Sequence, residues 1–181
     1  MVNIDRDGEC WEVENVYGGG NLAVYSVYGY NTDGTPKTSG TKEYSDPEVH
    51  IINGKVNHNV FGAGKGDGTI ISGTTYKGHV FGSPKVYVTG GTCENVYGGG
   101  DAAPVNGDTY VEINATAAPV DATNHVSGNV FGGGLGATAK INGSTTVKIL
   151  GAETKIGGNV YGGGNAGDVT GDTNVQIGSD E

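Results

Sequence analysis

The hexapeptide NVYGGG occurs three times in this chain, and three close relatives of it accompany the identical copies. The identical copies lie at residues 15–20, 95–100 and 159–164, and the relatives are NVFGAG at 59–64, HVFGSP at 79–84 and NVFGGG at 129–134. A short unit that returns along the whole length predicts a repeat architecture, in which stacked repeats bury the apolar face that one repeat cannot bury alone. Repeat folds more often present surfaces than build a single reactive centre.

A second motif follows the first and has the period of a β-strand. It reads VNGDTYVEI at 105–113, INGSTTVKI at 141–149 and VTGDTNVQI at 169–177, with weaker versions at 47–52 and 85–88. Its last five residues alternate in polarity, which indicates a half-buried strand. The alternation predicts buried side chains at Val111, Ile113, Val147, Ile149, Val175 and Ile177. It predicts more exposed ones at Tyr110, Glu112, Lys148 and Gln176.

These motifs predict an all-β domain over residues 1–181. Glycine makes up 36 of the 181 residues and interrupts every candidate helix. An apolar anchor (Val56, Val126 or Ile156) precedes three of the hexapeptides by three residues. We expect a right-handed parallel β-helix of about six irregular coils with inserted loops. A β-sandwich of antiparallel hairpins is the alternative, but it does not explain why the hexapeptide returns in the same phase.

Stacked coils would place equivalent side chains in ladders along the rod. The apolar ladder would contain Val16, Val60, Val80, Val96, Val130 and Val160. The amide ladder would contain Asn15, Asn59, Asn95, Asn129 and Asn159, whose side chains can pair with backbone groups of the next coil. We expect the glycine triplet to form a tight corner with positive φ.

The aromatic residue of each hexapeptide is a candidate ligand contact. Alternation places Tyr17, Tyr97 and Tyr161 outward, together with Phe61, Phe81 and Phe131, unless the strand bends at the glycines. An exposed aromatic strip would suit the apolar faces of sugar rings, so the three tyrosines are predicted to bind ligand. The phenylalanines favour the opposite arrangement, with the strip buried at a corner or under a loop.

Residues 21–48 form a predicted insertion loop rich in tyrosine. Tyr25, Tyr28, Tyr30 and Tyr44 surround a polar run, and loops on a rigid solenoid often carry recognition. They are therefore candidate ligand contacts, although a plain surface excursion explains them as well. Residues 114–125 are predicted to form a second loop, which contains no tyrosine.

The sequence contains no catalytic motif and predicts that the protein is not an enzyme. It has no nucleophile elbow, metalloprotease motif or phosphate-binding loop. No cofactor is expected, but calcium is a candidate ion, because GGNAGDV at 163–169 approaches a calcium-binding nonapeptide with its Gly and Asp one place out of step. Asp108, Asp168 and Asp172 are the candidate ligands, and turn formation is the alternative role of these aspartates.

Charge and composition limit the partners. The net charge of −10 argues against nucleic acid and anionic membranes, and no apolar run is long enough to span a bilayer. Residues 1–20 lack the apolar core of a signal peptide. Met1 is followed almost at once by a repeat, so we expect a fragment of a longer protein, with any export signal outside it. Cys10 and Cys93 occupy different repeat positions and are expected to remain separate thiols.

The repeats NVYGGG and VYGGGNAGDVTGDTNVQI resemble the Gly-rich β-helix repeats of large surface proteins and adhesins of Bacteroides-type gut bacteria. The resemblance covers about residues 11–178 and implies an exported, cell-surface protein with a stalk-like or adhesive role. The hexapeptide HVFGSP and the tyrosine-rich insertion depart from the pattern.

Three functional hypotheses follow. The first is a rigid rod that displays contact loops and binds a glycan weakly, or contacts a host or cell-surface protein. The second is a fragment of a polysaccharide-active β-helix enzyme whose catalytic residues lie elsewhere. The third is a fibre unit that associates end to end, because an open solenoid exposes unpaired strand edges.

Overall fold

A computed structural model describes residues 2–4, 11–119 and 122–178, and within them it contains eighteen strands and no helix. The first nine strands are β1 (Val2–Ile4), β2 (Glu12–Val13), β3 (Val16–Tyr17), β4 (Tyr25–Ser26), β5 (Glu48–Ile51), β6 (Lys55–Val56), β7 (Asn59–Phe61), β8 (Ile70–Ser72) and β9 (Thr75–Tyr76). The others are β10 (Val80–Phe81), β11 (Lys85–Val88), β12 (Asn95–Tyr97), β13 (Val105–Asn106), β14 (Thr109–Asn114), β15 (Val130–Phe131), β16 (Thr145–Leu150), β17 (Val160–Tyr161) and β18 (Thr173–Ile177).

Parallel pairing joins strands from successive repeats into sheets. The six-stranded sheet has the order β1-β5-β11-β14-β16-β18, and the five-stranded sheet has the order β17-β15-β12-β7-β3. A three-stranded sheet has the order β13-β10-β4, and β2 pairs with β6. The hairpin β8–β9 is the one antiparallel strand pair among the described residues. The all-β prediction is confirmed, and so is the predominance of parallel sheets.

The chain visits these sheets in one fixed order. It runs through β2, β3 and β4 to β5, and then through β6, β7 and β10 to β11. Later repeats replace some strands by single bridges, such as Cys93 with Val126 and Val105 with Ile141. In the part of the chain that the structure describes, no helix is long and apolar enough to cross a bilayer.

The inward faces of the five- and six-stranded sheets form one apolar core. It contains Val60, Val96 and Val130 from the first and Val111 and Val147 from the second, all completely buried. Each of these valines lies opposite another in register. The predicted burial of β14 and β16 is therefore confirmed, because alternate side chains of a half-buried strand point to the same face.

The predicted burial of β18 is wrong. Val175 is 41% exposed and Ile177 is 72% exposed, although both are in register with the buried residues Val147 and Ile149 of β16. β18 is an edge strand of the six-stranded sheet. No further strand of the described chain lies beyond it to cover its apolar side chains.

The hexapeptide at 79–84 does not belong to the hexapeptide ladder. Val80 pairs with Tyr25 and Val105 in the three-stranded sheet, so neither Val80 nor Phe81 stacks on the other hexapeptides. The backbone N–H of Asp108 donates to Ser83 Oγ at 3.2 Å. Residues 80–88 therefore match the second motif, VNGDTYVEI, and the hexapeptide ladder has five members.

Cys93 occupies the place of the apolar anchor in its own repeat. It bridges to Val126 and is a buried free thiol, and burial raises its pKa to about 12. This thiol is therefore a core residue and not a reactive one. Cys10 lies outside the described residues.

The glycine triplets are explained by close approach and not by positive φ. Their φ angles lie outside the left-handed region. The residues with positive φ are instead found seven positions after a ladder asparagine: they are Leu22, Ala102 and Ala166, with φ of 60°, 48° and 68°. A Cβ on Gly98 would lie far inside van der Waals contact with the carbonyl oxygen of Gly132 in the next repeat. The first glycine of the triplet is required because two backbones meet there.

Gly98→Ala is therefore expected to destabilise the protein by about 3 kcal/mol or more. The added Cβ would clash with the backbone of Gly132, which cannot move without disturbing the next repeat. Gly162→Ala is the matched control. It stands at the equivalent position of the hexapeptide at 159–164, where the atoms nearest to an added Cβ belong to the side chains of Thr173 and Val175, at 3.0 to 3.3 Å, and not to a backbone. Urea denaturation of both variants measures the difference, and equal losses would contradict the close-approach explanation.

Candidate functional site

The aromatic residues of the hexapeptides form an internal stack. Neighbouring ring centroids lie 4.8 to 4.9 Å apart, with interplanar angles of 2° to 11°. The stack contains Tyr17, Phe61, Tyr97, Phe131 and Tyr161. Its three central rings form a second small core, with exposures of 1%, 4% and 7%. We call this column the inner stack.

The inner stack corrects the prediction of an exposed aromatic strip. Tyr97 is buried and cannot contact a ligand, and Tyr17 is half-buried. Burial raises the pKa of Tyr17 to about 12, and Asp101, which accepts its hydroxyl at 3.3 Å, adds to that shift. Only Tyr161 is well exposed, at 45%. Burial at a corner, the arrangement favoured by the phenylalanines, is the one observed.

The ladder asparagines connect successive repeats by hydrogen bonds. Asn95 Nδ2 donates to Asn59 Oδ1 at 3.0 Å. Backbone N–H groups of Asn59, Asn129 and Asn159 donate to the side-chain oxygen of the asparagine one repeat earlier, at 2.8 to 3.1 Å. The first of these acceptors is Asn15. These amides therefore satisfy backbone groups at the beginning of three hexapeptides, whereas the N–H of Asn95 donates to the His58 carbonyl at 3.3 Å.

Three tyrosines of the predicted insertion loop lie close together. Burial raises the pKa of Tyr25, and the neighbouring Tyr30 and Tyr44 raise that pKa further. Tyr25 lies in β4, and its hydroxyl donates to the Ser45 carbonyl at 2.7 Å. The Tyr30 hydroxyl donates to the Val24 carbonyl at 2.9 Å, and Tyr28 is half-buried. Tyr44 is the most exposed of the four, at 52%. The insertion is shorter than predicted, because residues 25–26 and 48 belong to parallel sheets.

The three candidate calcium ligands do not come together as a set. Asp108 accepts the backbone N–H of Ser144 at 2.8 Å, and Ser144 Oγ accepts the backbone N–H of Asp172 at 3.1 Å. Asp168 pairs instead with Lys140 at 3.2 Å. Among the described residues, no group of three or more His, Cys, Asp and Glu could hold a metal ion. These contacts are those of a turn repeated in register.

An outward aromatic row lies on the six-stranded sheet. His50 stacks on Tyr87 with ring centroids 4.8 Å apart. The ring of Tyr110 follows, with its centroid 5.8 Å from that of Tyr87 and an interplanar angle of 48°. The three residues come from β5, β11 and β14, and all are partly exposed. We call the solvent-facing side of this sheet the outer face.

Charged and polar side chains flank the aromatic row. Lys85 Nζ donates to Glu48 at 3.1 Å, and His50 lies 3.4 Å from the same carboxylate. Tyr110 donates to Glu112 at 2.6 Å. The partner of Glu112 in the next strand is Lys148. The outer face therefore combines aromatic ring surfaces with positively and negatively charged side chains that can form hydrogen bonds.

The charge states on the outer face follow from these contacts. Burial alone would raise the pKa of Glu48, but hydrogen bonds from Lys85 and His50 outweigh it and lower that pKa. The hydrogen bond to Glu48 raises the pKa of Lys85. Burial, followed by the hydrogen bond to Glu112, raises the pKa of the Tyr110 hydroxyl. At neutral pH the face carries a carboxylate, an ammonium group and a neutral phenol.

Sequence reasoning placed Tyr110 outside but did not connect it to Tyr87 and His50. The connection depends on the register of three strands separated by segments of unequal length. The signal was present in the alternation of residues 47–52 and 85–88, once those runs are aligned with the second motif.

No protein family, curated protein or solved structure matches this chain. The function of the protein is therefore inferred from the geometry of the outer face.

A buried histidine lies apart from the outer face, in the three-stranded sheet. His79 is 2% exposed and stacks on Phe81 with ring centroids 4.1 Å apart. Its Nδ1 accepts the backbone N–H of Tyr76 at 3.4 Å, and its Nε2 lies 3.2 Å from Asn106 Oδ1. Burial lowers its pKa to about 4, against a smaller opposing effect of the Asn106 hydrogen bond.

Acid is therefore expected to destabilise the protein through His79. The unfolded chain takes up this proton near pH 6.5 and the folded chain only near pH 4, so stability is complete above pH 6.5 and falls by about 3 kcal/mol as the pH drops to 4. Denaturation of the wild type and of His79→Gln at pH 7 and pH 4 isolates this contribution. The same pH dependence in both proteins would contradict it.

Proposed function

We propose that this chain is a segment of an exported cell-surface protein, a right-handed parallel β-helix rod that binds glycans through its outer face. The observation that carries the proposal is the outward row of His50, Tyr87 and Tyr110, flanked by Glu112 and Lys85. The resemblance of the repeats to those of surface adhesins supports the location. The role is adhesive or structural, and the proposal contains no catalytic step.

The rod geometry is supported by the order and register of the strands. Each repeat crosses the sheets in the same sequence, and equivalent residues such as Val60, Val96 and Val130 lie opposite one another. Right-handed crossovers are the rule for parallel strands. A rigid rod of this kind would hold binding residues from several repeats at fixed spacing.

Sugars suit the outer face for two physical reasons. The apolar faces of pyranose rings pack on aromatic side chains, and their hydroxyls require both donors and acceptors close to those rings. Glu112 supplies an acceptor and Lys148, in the next strand, a donor. The net charge of −10 disfavours polyanions such as nucleic acid. Weak single contacts would gain strength when several rods act together at a surface.

The test is a glycan array probed with the wild type, with and without calcium, and with Tyr87→Ala/Tyr110→Ala. We expect the double variant to lose about tenfold or more in affinity, because it removes the stacking surface. Tyr44→Ala is the matched control, since it removes an exposed tyrosine from the insertion loop. Loss of binding in the control alone would move the site to the loop, and no glycan binding by the wild type would contradict the proposal. Turnover of a polysaccharide would contradict the non-enzymatic role.

End-to-end association is a second candidate function, favoured by the exposed apolar edge of the last repeat. Tyr161, Val175 and Ile177 are 45%, 41% and 72% exposed, and β17 and β18 are edge strands. An unpaired parallel edge can accept another strand, and a head-to-tail contact of this kind propagates into a filament. Light scattering that rises with concentration, and that Ile177→Asp abolishes, would support it.

A further inference from the structure

A cleft opens at the carboxyl ends of the strands that carry the outer face. Its volume is about 660 Å³. The floor consists of residues 52–54 and 89–92, which follow β5 and β11, together with Lys55 at the start of β6, and the wall is formed by residues 116–119 beyond β14. We call it the loop-walled cleft.

The wall of the cleft is held in place from beneath. The backbone N–H of Ala115 donates to Thr154 Oγ1 at 2.8 Å. His125 is completely buried, and its Nε2 lies 3.0 Å from the Ala117 carbonyl oxygen. Its Nδ1 accepts the backbone N–H of Lys155 at 3.3 Å, so Nε2 carries the proton and donates to Ala117. These contacts hold Ala115 and Ala117, so this part of the wall does not have to be ordered when a ligand binds.

Small and hydroxyl-bearing residues make up most of the lining of the cleft, and Ile52 and Pro119 add apolar surface. Glycine and alanine leave the backbone accessible, and Thr89, Thr92 and Thr116 contribute hydroxyls. Glu12 and Lys55 form a loose pair at 3.7 Å, with side chains 57% and 49% exposed. The two charges cancel, so the lining offers donors and acceptors but no net charge.

The cleft borders the outer face at the ends of β5 and β11. A second cavity of about 290 Å³ shares Lys55 and Thr92 with it. Ile52 and Thr89 line the cleft, directly follow β5 and β11, and are exposed two residues beyond His50 and Tyr87. The Thr89 N–H still donates to the Ile51 carbonyl at 2.9 Å, so the alternation continues to these residues and places their side chains on the side of those rings. The aromatic row runs across the strands and the cleft lies beyond their ends, so a ligand that packs on the Tyr87 ring and lies along β11 reaches the cleft.

We infer that the loop-walled cleft binds a segment of a neutral oligosaccharide whose remaining units lie on the outer face. The inference rests on the proposed function, because the outer face supplies the rest of the binding surface. The volume of the cleft lies within the range of small-molecule sites. Threonine hydroxyls, balanced charge and the apolar surface of Ile52 and Pro119 match an uncharged sugar, whose rings carry both hydroxyls and apolar faces, better than a nucleotide or an acidic sugar.

The experiment is isothermal titration of the whole chain with neutral gluco-, xylo- and manno-oligosaccharides, from disaccharides to hexasaccharides. Ala118→Trp fills the cleft from its exposed wall, where a larger side chain does not disturb the core. Ala152→Trp, on an exposed loop away from the cleft, is the matched control. Circular dichroism verifies that both variants keep their strands.

We expect Ala118→Trp to lose about tenfold or more in affinity for the longer oligosaccharides and Ala152→Trp to keep it. Wild-type affinity in Ala118→Trp would overturn the inference, and Tyr87→Ala/Tyr110→Ala reports separately whether the outer face binds. The inference is also overturned if the wild type binds none of these sugars, or if an extended peptide competes for the cleft and the sugars do not.

Discussion

Replacing Val147 by Asp is expected to unfold the protein. Val147 is completely buried in β16, and its register partners are Val111 and Val175. A carboxylate there would be buried without a partner in a core made of aliphatic side chains. The expected loss is more than about 4 kcal/mol, comparable to the whole stability of a typical domain. Thermal denaturation followed by circular dichroism measures it.

Thr146→Asp is the control for this prediction. Thr146 is the preceding residue of the same strand and is half-buried on the outer face, so the new carboxylate can reach water. We expect its melting temperature to stay within a few degrees of the wild type. An unchanged melting temperature in Val147→Asp would refute the inward orientation of Val147.

Phe61→Ala is expected to cost about 3 to 5 kcal/mol. Phe61 is 1% exposed, and its ring lies 4.9 Å from the rings of both Tyr17 and Tyr97. Its removal would open a cavity in the inner stack and take away two aromatic contacts at once. Urea denaturation at neutral pH gives the free energy of unfolding.

Tyr161→Ala is the control that shows whether the stability lost in Phe61→Ala is due to burial of the ring or only to its being aromatic. Tyr161 is the last ring of the same stack, contacts one neighbouring ring and is 45% exposed. We expect it to cost about 1 kcal/mol, because little apolar area is lost and water already reaches the ring. Equal losses for Phe61→Ala and Tyr161→Ala would mean that the inner stack is not a core.

Local periodicity was sufficient for the strands with the clearest alternation. The pattern in residues 109–113 and 145–149 fixes which side chains face the core, because the side-chain period of a strand is two. It was insufficient at Val175, where burial depends on whether another strand follows. It was also misleading at Phe81, where a hexapeptide-like string belongs to the second motif.

The inner stack and the outer face depend on tertiary geometry that a linear pattern does not contain. The strands of the five-stranded sheet have only two or three residues, so the chain turns immediately after the aromatic residue and both sides of the strand are enclosed. The row of His50, Tyr87 and Tyr110 appears only when three unequal repeats are placed in register. The loop-walled cleft requires in addition the position of an insertion relative to turns of two earlier repeats.

The in-register parallel stack is the feature on which the proposed rod, the outer face and the cleft all depend. Solution NMR tests it most directly, through nuclear Overhauser contacts in protein with labelled valine methyl groups. We expect contacts between Val60 and Val96 and between Val96 and Val130, which are register partners. We expect none between Val60 and Val130, which are two strand spacings, about 10 Å, apart. Missing neighbour contacts, or the close Hα–Hα contacts of antiparallel strands among these residues, would contradict the stack.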